Sequence, residues 1–85
     1  MRLRKGVLLT RTDEGTFLLD TRGGRYWHLN PNGFDVLESL LNGESFDAVV
    51  DELASAERID REIVADDCEA LVRDLRAARL LKGSR

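Results

Sequence analysis

GRYWHLNPNG, residues 24–33, joins two kinds of local structure in one short stretch. Arg25 to Leu29 brings three rings, Tyr26, Trp27 and His28, into a run that follows Gly23-Gly24 and stops at Asn30-Pro31. Aromatic and apolar residues bounded by turn formers read as a strand. An asparagine before a proline reads as a helix N-cap, with the proline at a first helical position where its missing N–H is no loss. The stretch is therefore the last strand of a sheet and the bridge to everything C-terminal. Alternation sets Trp27 and Leu29 on one face and Tyr26 and His28 on the other, and the Trp27 and Leu29 face is expected to turn towards the helices.

Towards the N-terminus, Gly6 to Arg11 (GVLLTR) and Thr16 to Asp20 (TFLLD) are short apolar runs separated by Thr12-Asp13-Glu14-Gly15, which is hairpin punctuation. A second turn, Thr21-Arg22-Gly23-Gly24, leads into Arg25. Links this short join antiparallel neighbours, so Thr16 to Asp20 is expected in the centre and the other two strands at the edges. An edge strand carries unpaired N–H and C=O groups and can accept another polypeptide as a further strand. The residues alone do not choose between the two edges.

Towards the C-terminus the period changes. After the Asn30-Pro31 start, Phe34, Leu37, Leu40 and Leu41 recur at helical spacing, and Asn42-Gly43 ends that helix. Ser45 caps a second helix with Phe46, Val49, Val50 and Leu53 on one stripe and Asp47, Asp51 and Glu52 facing water. Ala54 to Ile59 reads as a connection. Asp60 caps a third helix whose apolar side carries Val64, Cys68, Leu71, Val72, Leu75 and Ala78, with acids early and bases late to suit the helix dipole. Leu80-Leu81 is expected to seal the core and Lys82 to Arg85 to be a frayed tail. The fold class is α+β: a small winged helix-turn-helix, a three-stranded antiparallel meander followed by three helices, in a single domain spanning residues 1–85.

Composition narrows the function. Forty-two per cent hydrophobic against 34 per cent charged is a globular balance. The run Val7-Leu8-Leu9 is too short for a signal peptide or a membrane span, and a single cysteine, Cys68, forms no internal disulfide. A cytoplasmic protein with no membrane partner is expected. Residues 1–33 carry six Lys/Arg against three Asp/Glu, net +3, and residues 34–85 carry seven against thirteen, net −6. Nucleic acid needs a cationic face, and the helical half has the wrong sign. His28 has no second histidine to share a metal with, and Cys68 in an apolar stripe is a small hydrophobe rather than a nucleophile. Neither Gly6 nor Gly23-Gly24 has the spacing of a phosphate loop. No enzyme and no cofactor is indicated.

The ordered set of motifs carries a resemblance. A strand ending in Y-W-H-L-N-P-N-G, a helix with L-x-x-L-L-x-G, a second with V-V-x-x-L and a final L-V-x-x-L-x-x-x-x-L-L resemble PqqD-like proteins, more narrowly the stand-alone RiPP (ribosomally synthesised and post-translationally modified peptide) recognition elements of lasso-peptide pathways. The likeness spans about Gly6 to Leu81. Arg79 departs from it, standing where such proteins often have glycine.

The resemblance implies a peptide-binding protein. The leader of a lasso precursor peptide would add a strand to the edge of Arg25 to Leu29, in the cleft against the third helix, for presentation to a cysteine-protease-like leader peptidase and a macrolactam synthetase. On that reading Trp27, Leu29, Val64, Cys68, Leu71 and Leu75 line the cleft. Asp67 and Asp74 receive a hydroxyl or cation of the leader, and Tyr26 and His28 flank the guest, with Arg25 opening the edge. Each apolar residue also has a plain reading as core, and each acid as a solvated face. Two other functions fit the same shape. One is a winged-helix DNA-binding regulator, which the acids of the second and third helices oppose. The other is a structural subunit without peptide affinity.

Overall fold

The computed structural model describes residues 1–83. Along them run β1 (Arg2–Leu3), β2 (Val7–Thr12), β3 (Gly15–Asp20), β4 (Arg25–Leu29), α1 (Pro31–Leu41), α2 (Phe46–Glu57), α3 (Arg61–Ala77) and β5 (Leu81–Lys82). β2, β3 and β4 form one antiparallel sheet in that order, with β3 central as expected. The first hairpin is tighter than its composition suggests. Thr12 Oγ1 accepts the Glu14 N–H at 3.2 Å and Gly15 adopts φ +139°, so Thr12 and Gly15 pair and the loop shrinks to Asp13-Glu14.

The helices start at the caps the residues supply. Asn30 Oδ1 accepts the Gly33 N–H at 2.6 Å, Ser45 Oγ that of Ala48 at 3.1 Å, and Asp60 Oδ1 that of Glu62 at 2.8 Å. Gly43, at φ +95°, ends α1. The second helix outruns its expected end. Ala54 to Glu57 holds no breaker and two alanines, the best helix former, so the helix runs on until Arg58 turns left-handed at φ 55°. The expected connection, Ala54 to Ile59, shrinks to residues 58–60.

The expected frayed tail is corrected in part. Leu81–Lys82 pairs with Arg2–Leu3 as a two-stranded antiparallel ribbon, Arg2 opposite Lys82, and the Arg4 N–H donates to the Leu80 carbonyl at 3.0 Å. This pairing closes nearly the whole chain length, and no local pattern announces it. Ser84 and Arg85, the rest of that tail, lie outside the described residues.

The core sits between the sheet's inner face and the three helices. Leu9, Leu18 and Trp27 form a cross-strand row, with Leu18 fully buried and Trp27 half-buried. Leu37, Val50, Leu75 and Leu80 meet beneath it, each almost without exposed surface. Burying a leucine of this kind contributes about 1.5–3 kcal/mol. Leu80 and Leu81 close the bottom of the core as expected. Among the described residues no helix is long and apolar enough to cross a membrane.

Candidate functional site

The register decides which main-chain groups of β4 are free. Thr12 and Gly15 pair at the hairpin, and the Thr21 N–H donates to the Gly6 carbonyl at 2.9 Å, so the odd-numbered residues of β3 bond towards β2. Successive residues of a strand point these groups to opposite sides. Thr16, Leu18 and Asp20 therefore bond towards β4, engaging Leu29, Trp27 and Arg25. The N–H and C=O groups of Tyr26 and His28 are left facing outward along an edge that no other strand covers among the described residues.

Beside that edge lies a groove of about 280 Å³. Its floor is apolar: Leu29 from β4 and Val64 and Cys68 from α3, each 4% exposed, with Leu71 half-buried at the side. Its rim is polar, with Asn30 and Asn32 at the start of α1, Glu57 at the end of α2 and Asp67 on α3. Gly33 leaves room for its own helix cap, since a Cβ there would sit 3.1 Å from Asn30 Oδ1, while Leu71 Cδ2 across the groove would be in ordinary contact at 3.7 Å. Burial pushes the Cys68 thiol pKa up, and the neighbouring Asp67 carboxylate pushes it further. Both effects disfavour the thiolate, which suits a place in an apolar floor.

The other end of β4 is tied down. Arg25 Nη2 lies 3.4 Å from Asp20 Oδ2 and 3.4 Å from the Ala78 carbonyl, while its guanidinium stands 5.5 Å from the Trp27 ring centre. One side chain thus ties the start of the edge strand to the end of α3. The Gly23 N–H, together with Arg25, holds the Asp20 carboxyl below the usual carboxylate range. On the sheet's outer face Phe17 meets Tyr26 and His28 edge-on, with ring centres 5.8 and 5.2 Å apart.

Comparison with known proteins places the chain in a family. The family profile described as "Coenzyme PQQ synthesis protein D (PqqD)" matches residues 15–81. The chain belongs to the PqqD family. A comparison with curated protein sequences gave no match. Among solved structures the chain is similar to one described as lasso peptide synthetase B1 complexed with the leader peptide, at 34% identity over 96% of each chain and a TM-score of 0.90. It is also similar to TbiB1 in complex with the TbiA(beta) leader peptide, at 26% identity over 100% of this chain and 99% of that one, TM-score 0.85. A third likeness is to the PqqD truncation of Methylobacterium extorquens PqqCD, described as a functional, stand-alone RiPP recognition element, at 25% identity over 96% and 87% of the chains, TM-score 0.79. The chain is thus PqqD-like in both sequence and fold.

In this PqqD-family chain the structure gathers six of the expected site residues, His28, Leu29, Val64, Asp67, Cys68 and Leu71, around one groove. Tyr26 is 68% exposed beside it on the edge. The remainder stand apart. Trp27 packs half-buried beneath the sheet, Leu75 is 1% exposed within the core, and Asp74 lies on the exposed side of α3, 3.5 Å from Arg73. Arg25 lines a different cavity at the far end of β4. Sequence reasoning missed the wall opposite α3: Asn32, Gly33 and Val36 from α1, and Leu53, Glu57 and Ile59 from the end of α2 and beyond. One of these carried a signal, since Ile59 is a lone isoleucine in a polar stretch, and it is left 44% exposed.

Proposed function

We propose that this chain binds the leader segment of a ribosomally synthesised precursor peptide as an added strand on β4, in the groove against α3. It then presents that precursor to the leader peptidase and the macrolactam-forming cyclase of a lasso-peptide pathway. The observation that carries the reading is the outward-facing main chain of Tyr26 and His28 directly beside an apolar groove. Two similar structures described as holding leader peptides support it. The four main-chain groups offer bonds worth about 0.5–1.5 kcal/mol each, partly offset by ordering a flexible peptide. Backbone pairing alone is weak and indiscriminate. One or two leader side chains buried in the groove add about 1.5–3 kcal/mol apiece, so the groove residues set affinity and choice.

The exposed acids Glu62, Asp66 and Asp67 at the start of α3 repel the phosphates that a DNA-binding reading requires. The test takes the leader of a short precursor sought among the genes adjoining this one, titrated while following the fluorescence of Trp27 and repeated by calorimetry. Saturable one-to-one binding is expected; silence in both measurements overturns the reading. Presentation is tested separately. The neighbouring peptidase should cleave the precursor faster with the chain present, and a Leu71→Asp chain should give no such acceleration.

A further inference from the structure

At the Arg25 end of β4 the fold collects charge of one sign from four separate parts of the chain. A cavity of about 360 Å³ is lined by Arg4 and Lys5 before β2, Arg22 in the β3–β4 turn, Arg25 on β4, and Arg79 and Lys82 after α3. Asp20 is the one acid among its lining residues, giving six positive charges against one negative, net +5, in a chain whose net charge is −3. Asp20 is already engaged with Arg25 at 3.4 Å, and Arg4, Lys5, Arg22, Arg79 and Lys82 make no ion pair among the described residues. Such a cluster is self-repelling, and beyond the tie that Arg25 makes to Asp20 and the Ala78 carbonyl no ion pair offsets that repulsion among the described residues. Arg79 adds a second cost. Its backbone stands at φ 62°, the left-handed region where a glycine would be unstrained.

We propose that this basic cavity takes carboxylates of the docked peptide, namely acidic side chains just C-terminal to the segment that pairs with β4. The proposal rests on the docking reading above. Its position argues for it: Arg25 is both the first residue of the free edge and part of the cavity lining. An added strand that continues the antiparallel sheet runs from the Leu29 end to the Arg25 end. The chain leaving that strand therefore emerges over the cations, which fixes the guest's direction and register where backbone pairing alone would let it slip. Phosphate of a nucleic acid fits less well, because duplex binding needs an extended cationic face and the exposed sides of α2 and α3 are rich in acid.

The experiment measures anisotropy of a fluorescein-labelled leader, the same one used to test docking. It is made in its native form and with the Asp and Glu residues C-terminal to the docked segment changed to Asn and Gln. Each form is titrated with wild type and with a Lys5→Glu, Arg22→Glu double variant, whose altered side chains are exposed and outside the groove, with circular dichroism to show that it folds. At low salt the double variant should bind the native leader about tenfold more weakly, and the difference should shrink to under about twofold at roughly 0.5 M salt. The neutralised leader should bind both proteins alike. Equal affinities for the native leader at both salt levels, a native leader with no acids in that segment, or duplex DNA binding that the double variant alone loses would each overturn the proposal while leaving docking on β4 intact. A leader that binds neither protein overturns the docking reading, and this one with it.

Discussion

Leu71 and Leu75 lie one helical turn apart on the same stripe of α3 and serve different ends, because burial depends on what stands opposite. Leu75 faces the core at 1% exposure, while Leu71 is half-buried at the groove. Leu71→Asp is expected to leave the fold intact by circular dichroism and to weaken leader binding at least about tenfold, the loss of one apolar contact of roughly 1.5–3 kcal/mol. Leu75→Ala is expected to do the reverse. It should lower unfolding stability in urea by about 2–5 kcal/mol through the cavity it leaves, with the affinity of the folded fraction unchanged. Asp20 gives a pH signature. A carboxyl whose pKa is lowered on folding stabilises the fold fully above its unfolded value, and that contribution disappears as pH falls through the lowered one. Asp20→Asn should therefore be less stable than wild type at neutral pH, and the gap should close as pH drops below about 4.

At the scale of elements, β4 does two jobs with one alternation. Its inward side chains, Trp27 and Leu29, hold the sheet to the helices, and its outward main-chain groups at Tyr26 and His28 stay available. Proline at position 28 separates the two, since the N–H it removes faces the free edge and takes no part in the β3 ladder. His28→Pro is expected to bind leader about threefold to tenfold more weakly than His28→Ala, the worth of one main-chain bond, at similar thermal stability; equal affinities would show that the guest pairs elsewhere. The strands, the three caps and the Gly43 stop were legible because each is a contact within a few residues. The end of α2 was not, since helix termination there depends on a backbone twist at Arg58 that no residue type demanded.

The whole molecule is closed by its two ends. β1 and β5 pair across almost the full chain, placing Leu3 opposite Leu81 over the bottom of the core. A chain beginning at Arg4 is expected to lose about 2–4 kcal/mol of stability in urea, from a few main-chain bonds and the burial of Leu3. An unchanged midpoint would mean that the ribbon contributes nothing to holding the fold. By itself the amino-acid order determined the meander with β3 in its centre, the face Trp27 shows to the helices, where each helix begins and which side of it is apolar. Those features follow from alternation, turn chemistry and capping, which act over one or two turns of chain. Alternation and turn chemistry left the choice between the β2 and β4 edges open, and only the family resemblance pointed to β4. The tertiary structure alone decided that Leu71 borders the groove while Leu75 is core, and that Arg4, Lys5, Arg22, Arg25, Arg79 and Lys82 share one cavity. Each of these depends on segments far apart in sequence meeting in space, and no short-range preference encodes which distant partner a residue will face.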